Sequence, residues 1–133
     1  MSDSNRTTDA FREAYNALNE RQREAVDTIE GPVLVIAGPG SGKTQILSVR
    51  VGNILAHTDA LPSNILCLTF TESAAANMRE RLAELIGRDA YRVAIHTFHN
   101  FGVDIIERHP EYFYNNATFA PADELVQIEV ITE

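Results

Sequence analysis

Lysine is almost missing from this chain. Lys43 stands alone against ten arginines, and acids outnumber bases for a net charge of −8. Taken over the whole chain, that deficit argues against nucleic acid. Its distribution weakens the argument: residues 110–133 hold Glu111, Asp123, Glu124, Glu129 and Glu133 with no base, and the rest carries 14 acids against 11 bases. A local basic surface has room to exist, an extensive one does not. Cysteine is as scarce. Cys67 sits without a partner inside an apolar run, which excludes an internal disulfide framework and reads as a buried, reduced thiol of a cytoplasmic protein. No apolar run approaches the ~20 residues of a membrane span. Residues 1–9 are polar with no apolar core, so no signal peptide is expected there. Internal repeats and low-complexity tracts are absent too. What remains is a 133-residue chain, 44% apolar and 23% charged, expected to form one globular domain with a single core.

The patterning predicts alternating helices and strands. Residues 1–8 are expected to be frayed. Phe11, Ala14, Tyr15 and Leu18 predict a short amphipathic helix over 9–18, and Asn19 caps a second over 20–29. Gly31-Pro32 opens a strand over 33–37. A helix over 43–56 places Ile46, Leu47, Val51, Ile54 and Leu55 on one buried face. Residues 65–70 form a continuous apolar run, as in a strand covered on both faces of a parallel sheet. Thr71 caps a helix over 73–86 that closes at Gly87. A third strand follows over 92–96, then a helix over 97–108 stopped by His109-Pro110. Residues 122–132 read as a helix, with a strand left open by Val126, Ile128, Val130 and Ile131. This order makes the chain α/β, a parallel sheet flanked by helices with right-handed crossovers. Ligands collect at the carboxyl ends of such strands, so segments 37–44, 69–73 and 96–100 should share one rim.

One stretch carries explicit chemistry. Ala37-Gly38-Pro39-Gly40-Ser41-Gly42-Lys43-Thr44 lies between the first predicted strand and a helix, the layout of a phosphate-binding loop. Glycines let backbone N–H groups turn inward around phosphates with no Cβ in the way. The helix N-terminus brings partial positive charge to the same anion. Lys43 would reach the β/γ-phosphates, the one position here where a compact ammonium is kept, and the Thr44 hydroxyl would ligate Mg²⁺. The strict pattern has Gly where this chain has Ala37; the close contacts fall to Gly38, Gly40 and Gly42.

Such a loop does not choose among kinases, ATPases, GTPases and helicases, but the surrounding segments do. Leu18 to Val26 resembles the Q motif of superfamily 1 helicases, and Ala37 to Thr44 their motif I. Leu66 to Leu82 resembles motif Ia, and Ile95 to Gly102 motif Ib. Together the four blocks resemble the first RecA-like domain of the UvrD/Rep/PcrA-type DNA helicases over about residues 15–109. The resemblance implies a P-loop NTPase fold, ATP and Mg²⁺ as cofactors, Lys43 as the catalytic residue of the loop, and single-stranded DNA or duplex junctions as partner. It also implies that Gln22 reads adenine, which a carboxamide can do bidentately at the N6/N7 edge. An isolated Gln would be a solvated residue of a helix's first turn; Asn19-x-x-Gln22 ahead of the loop reverses that reading. Thr69, Phe70, Thr71, Thr97, Phe98, His99 and Asn100 are carried over as DNA contacts. Stacking on Phe or His, worth ~1–3 kcal/mol per base, suits a motor indifferent to sequence. Phe70 and Phe98 read equally well as core aromatics.

The departures are specific. Glu72-Ser73 stands where the family has Asn-Lys, Ala76-Asn77 where it has a charged Arg-Glu pair, and Gln45 where Arg often follows Thr44. Losing a lysine and gaining an acid should flatten the salt dependence of DNA binding. No apolar strand ends in the Asp-Glu that would hold Mg²⁺ and orient the attacking water. The expectation is therefore a fragment: an incomplete RecA-like domain over 9–109, then an acidic helical segment over 110–133 leading to an inserted subdomain. Alone it would bind nucleotide weakly and hydrolyse essentially none, completed by the remainder of its own helicase chain. The alternatives are a helicase–nuclease subunit of AddA/RecB type, a stand-alone P-loop kinase or nucleotide-binding regulator, and a non-catalytic DNA-binding module.

Overall fold

The computed structural model describes residues 8–113. Five helices and one pair of strands follow each other as α1 (Asp9–Asn16), α2 (Glu20–Asp27), α3 (Lys43–His57), β1 (Leu66–Thr69), α4 (Glu72–Ile86), β2 (Ala94–Thr97) and α5 (Phe98–Arg108). Short 3₁₀ turns lie at Pro62–Asn64, Gly87–Arg92 and Pro110–Tyr112. β1 and β2 are parallel, with Leu66 opposite Ala94 and Thr69 opposite Thr97. The crossover between them is α4. The architecture is mixed α/β, a small two-stranded parallel sheet flanked by helices. The expected helix or strand over 122–132 and residues 1–7 of the stretch 1–8 expected to fray lie outside the described residues, whereas Thr8 is placed as the cap of α1. Among the described residues, no helix is long and apolar enough to cross a membrane.

Local chemistry explains the helix starts. The Thr8 hydroxyl accepts from Phe11 N–H at 3.1 Å and donates to the Leu85 carbonyl at 2.6 Å, capping α1 and tying it to the end of α4. Asn19 and Gln22 form a reciprocal capping box at α2: Asn19 Oδ1 accepts from Gln22 N–H at 2.9 Å and Gln22 Oε1 accepts from Asn19 N–H at 3.0 Å. Thr71 and Thr97 cap α4 and α5 through the N–H groups of Ala74 and Asn100. Gly87, at φ 64°, ends α4 in a backbone region that side chains disfavour.

α3 is the axis of the packing. Val51 and Leu55 meet Met78 and Leu82 of α4, with Val93 and Ile95 beneath. Ile46 and Val49 meet Phe11 of α1, Val26 of α2 and Leu18 between them. Fully burying side chains such as Val26, Val49 and Leu82 contributes about 1.5–3 kcal/mol each. The helix is therefore covered on more than the one face its apolar residues suggested: Ser48, Gly52 and Asn53 are buried as well, while Leu47 is half exposed. Gly52 is where Phe11 comes down, since a Cβ there would lie 2.7 Å from the ring.

Two strand expectations need correction. Residues 33–37 form no strand. They run extended beside α3 without a partner ladder among the described residues, and Leu34 and Ile36 are 87% and 93% exposed. An extended segment becomes a strand only when a neighbour takes up its N–H and C=O groups, and β1 pairs with β2 alone. β1 in turn is not covered on both faces; Leu66 is exposed and Cys67 only half-buried. The Cys67 thiol is still pushed above its ordinary pKa by that burial.

Candidate functional site

The loop leads straight into α3. Pro39 and Gly40 make the turn, Gly40 and Gly42 sit at φ 72° and 76°, and Gly42 is the residue that caps the helix. A side chain at either position would be strained, so the glycines are required by the backbone path. The Gly38 carbonyl gathers the loop, accepting from Ser41 Oγ at 2.5 Å, Ser41 N–H at 3.3 Å and Lys43 Nζ at 3.2 Å. Lys43 Nζ also lies 3.4 Å from the Ala37 carbonyl. Its ammonium therefore points back over the loop, the direction from which a phosphate chain on the loop's N–H groups would be met. The Thr44 hydroxyl has no hydrogen-bond partner among the described residues, and the first turn of α3 carries no acid. Lysine, helix N-terminus and free hydroxyl form a donor set that fits a polyphosphate and its magnesium ion. Among the described residues, no group of three His, Cys, Asp or Glu could hold a metal by itself.

Gln22 is brought to this loop. Its Nε2 donates to the Ser41 carbonyl at 3.3 Å while its Oε1 serves the capping box. A carboxamide has two donor hydrogens and two acceptor sites, so one of each stays free in a side chain already fixed at the other two. α2 is anchored at its other end as well. Asn53 Nδ2, buried within α3, donates to the Val26 carbonyl at 3.2 Å, and Arg50 Nη1 donates to the Ala25 carbonyl. Arg23 lies over the Tyr15 ring, 5.2 Å from its centroid, and Tyr15 donates to Asp27 across the same helix pair. The hydrogen bond to the Asp27 carboxylate raises the Tyr15 pKa, with smaller contributions from burial and the Asp27 charge, opposed by Arg23. Arg50, Asn53 and Tyr15 were not legible as site residues, because their partners are backbone carbonyls or side chains far along the chain.

The ends of β1 and β2 build a second surface. Parallel register puts Phe70 and Phe98 side by side, with ring centroids 5.2 Å apart and planes tilted by 38°. They are 90% and 53% exposed, which decides against the core reading of either ring. His99 is exposed beside them. The three threonine hydroxyls serve local bonds. Thr69 donates to the Thr71 carbonyl, Thr71 caps α4, and Thr97 is buried with its hydroxyl capping α5. They shape the rim, and the rings and Asn100 present themselves from it. Asn100 Nδ2 is bound to Glu72 Oε1 at 2.5 Å, and Thr97 Oγ1 lies 3.4 Å from the same oxygen. The bonds and ring contacts that join 69–73 to 97–100 do not extend to the 37–44 loop among the described residues. The shared rim is thus formed by two of the three expected segments, since the segment ahead of the loop is not in the sheet.

Comparison with known proteins gives one consistent result. Residues 18–133 match the model of the UvrD/REP helicase N-terminal domain. The chain is 40% identical over 118 residues to the ATP-dependent DNA helicase PcrA of Staphylococcus aureus strain Mu50, covering 89% of this chain and 16% of that protein. The PcrA of Bacillus subtilis strain 168 is 40% identical over 116 residues, and that of Leuconostoc citreum 44% over 97 residues. The chain spans about 16% of the length of the first two of these relatives.

Proposed function

Since the chain belongs to the UvrD/REP helicase N-terminal domain family, we propose that it is the ATP-binding part of an ATP-dependent DNA helicase, an incomplete RecA-like P-loop domain over 9–109. The observation that carries this reading is the joining of Gln22 to the loop through Ser41, directly ahead of Lys43 at the start of α3. Gln22 takes the adenine edge. Gly38, Gly40 and Gly42 would give the phosphates a backbone bed, Lys43 would neutralise the β/γ oxygens, and Thr44 would hold Mg²⁺ through its hydroxyl. Bound ATP supplies the hydrolysable bond. The chain's own residues orient it, and the carboxylates and arginines that complete hydrolysis belong to other parts of a longer helicase.

The same reading makes the Phe70–Phe98 pair, with His99 and Asn100, a platform for single-stranded DNA. Bases stacked on the rings would be gripped without regard to sequence. In a complete helicase, closure of a second domain over the loop would alternate with grip on this rim, moving the strand 3′→5′ during repair or replication in the cytoplasm.

The nucleotide assignment is tested by thermal shift. A ligand at about a hundred times its Kd adds ~2.7 kcal/mol of stability, so a non-hydrolysable ATP analogue with Mg²⁺ should raise the melting temperature of the 133-residue chain. Lys43→Ala should abolish the rise, and Gln22→Ala should bring the ATP and GTP analogues to similar shifts. An undiminished shift in Lys43→Ala would overturn the assignment.

A further inference from the structure

We propose that Glu72 is a specificity-determining residue of the DNA rim, an internal carboxylate that occupies the donors a nucleic-acid phosphate would otherwise take. The inference rests on the reading of the Phe70–Phe98 surface as a single-strand platform. Glu72 opens α4, yet its side chain is directed across the sheet end to α5. There Oε1 accepts from Asn100 Nδ2 at 2.5 Å and lies 3.4 Å from Thr97 Oγ1. Both groups lie next to the exposed rings and converge on one oxygen. Segments 69–73 and 97–100 contain neither Lys nor Arg. The described ion pairs of the chain, such as Arg12–Asp9 and Arg108–Asp104, do not involve Glu72 either.

Two consequences follow from an anion placed there. A strand arriving on the rings meets like charge, which costs affinity and is screened by salt, so binding should depend little on ionic strength. A phosphate must also displace Glu72 before it can take the Asn100 hydrogen that now serves the carboxylate, and at the second amide hydrogen it would lie close to that charge. Ligands that stack without bringing a phosphate to this point are thereby favoured, and affinity rests on the rings. Asn100 is then a phosphate donor held in reserve, and Glu72 the group that sets how strongly the backbone is gripped.

The test is fluorescence anisotropy of a labelled oligo-dT with the 133-residue chain at two salt concentrations, with the melting temperature of each variant as a check of folding. Glu72→Gln should tighten binding about three- to tenfold at low salt, the size expected for removing one nearby like charge, and should steepen the salt dependence. Glu72→Ala, which removes the acceptor oxygen as well as the charge, should tighten binding further, and in an Asn100→Ala background that additional gain should vanish. If Gln at this position prevents folding, Glu72→Ser carries the same expectation. Unchanged or weaker binding by Glu72→Gln, while Phe70→Ala still lowers affinity, would overturn the role of Glu72 and leave the rim reading standing. No additional gain by Glu72→Ala, or one that persists undiminished in Asn100→Ala, would overturn the competition and reduce it to a general charge effect. No binding by the wild type or by Glu72→Gln would overturn the rim reading and this inference with it.

Discussion

Val33-Leu34-Val35-Ile36 and Leu66-Cys67-Leu68-Thr69 are closely similar as sequences, short β-branched or leucine-rich runs ahead of a turn and a helix. Their fates differ. The second finds β2 beside it and α4 over it, and becomes a strand. The first is extended, with Val33 and Val35 turned toward α3 and Leu34 and Ile36 turned outward, and no ladder among the described residues. Composition states that a segment needs neighbours; only the rest of the fold supplies them. The contrast also divides the candidate function. The stacking surface hangs on a paired sheet, whereas the phosphate loop hangs on an unpaired segment and owes its placement to α3 and to the anchoring of α2 through Gln22, Arg50 and Asn53.

The largest effect should separate these two regions by stability. Leu82 is fully buried against both strands and α3, so Leu82→Ala should cost about 2–5 kcal/mol in urea unfolding. Ile36→Ser should stay within roughly 0.5 kcal/mol of wild type, as exposed substitutions do. A cost for Ile36→Ser comparable to Leu82→Ala would break the comparison, because residue 36 would then have to be packed in solution. Gly52→Ala is expected to fall between them. Its added Cβ would lie 2.7 Å from the Phe11 ring, and overpacking of that kind costs about 1–3 kcal/mol. That variant asks whether α1 is held as firmly on α3 as α4 is. An increase in stability would show that Phe11 can move aside and that the first helix is loosely attached.

These differences also mark what could be read ahead of the structure. Helix starts were legible at Asn19, Thr71 and Thr97 because capping is completed within a few residues of its own signal. The loop from Ala37 to Thr44 was legible for the same reason: αL glycines, lysine and helix N-terminus are contiguous. The parallel pairing of β1 with β2 was legible in the alternation of strands and helices, but the unpaired state of 33–37 was not, since it depends on what lies beside it. Thr97 read as a DNA contact, and its burial with the hydroxyl capping α5 was not legible, because a cap and a rim position carry the same residue type. Glu72 read only as a lost basic neighbourhood. Its bond to Asn100 spans 28 residues, and nothing in the spacing of either motif announces it.

The smallest expected effect concerns the thiol of β1. Burial raises the Cys67 pKa in the folded chain, whereas the unfolded thiol titrates near ~8.5. The folded state then favours the protonated thiol. Its contribution to stability is present in full below the unfolded pKa and is lost as pH rises from there through the folded pKa. Unfolding free energy should accordingly decline as pH rises above the pKa of the unfolded thiol, relative to a Cys67→Ala chain, whose profile lacks this component. Reactivity gives a sharper version of the same comparison. At pH 8, alkylation of Cys67 should be several-fold slower in the native chain than in denaturant. A thiol introduced as Ile36→Cys on the Cys67→Ala background should react at nearly its denatured rate, because that position is 93% exposed. Equal protection at the two positions would mean that residues 33–37 are covered in solution as β1 is, and the phosphate loop would then rest on a paired strand after all.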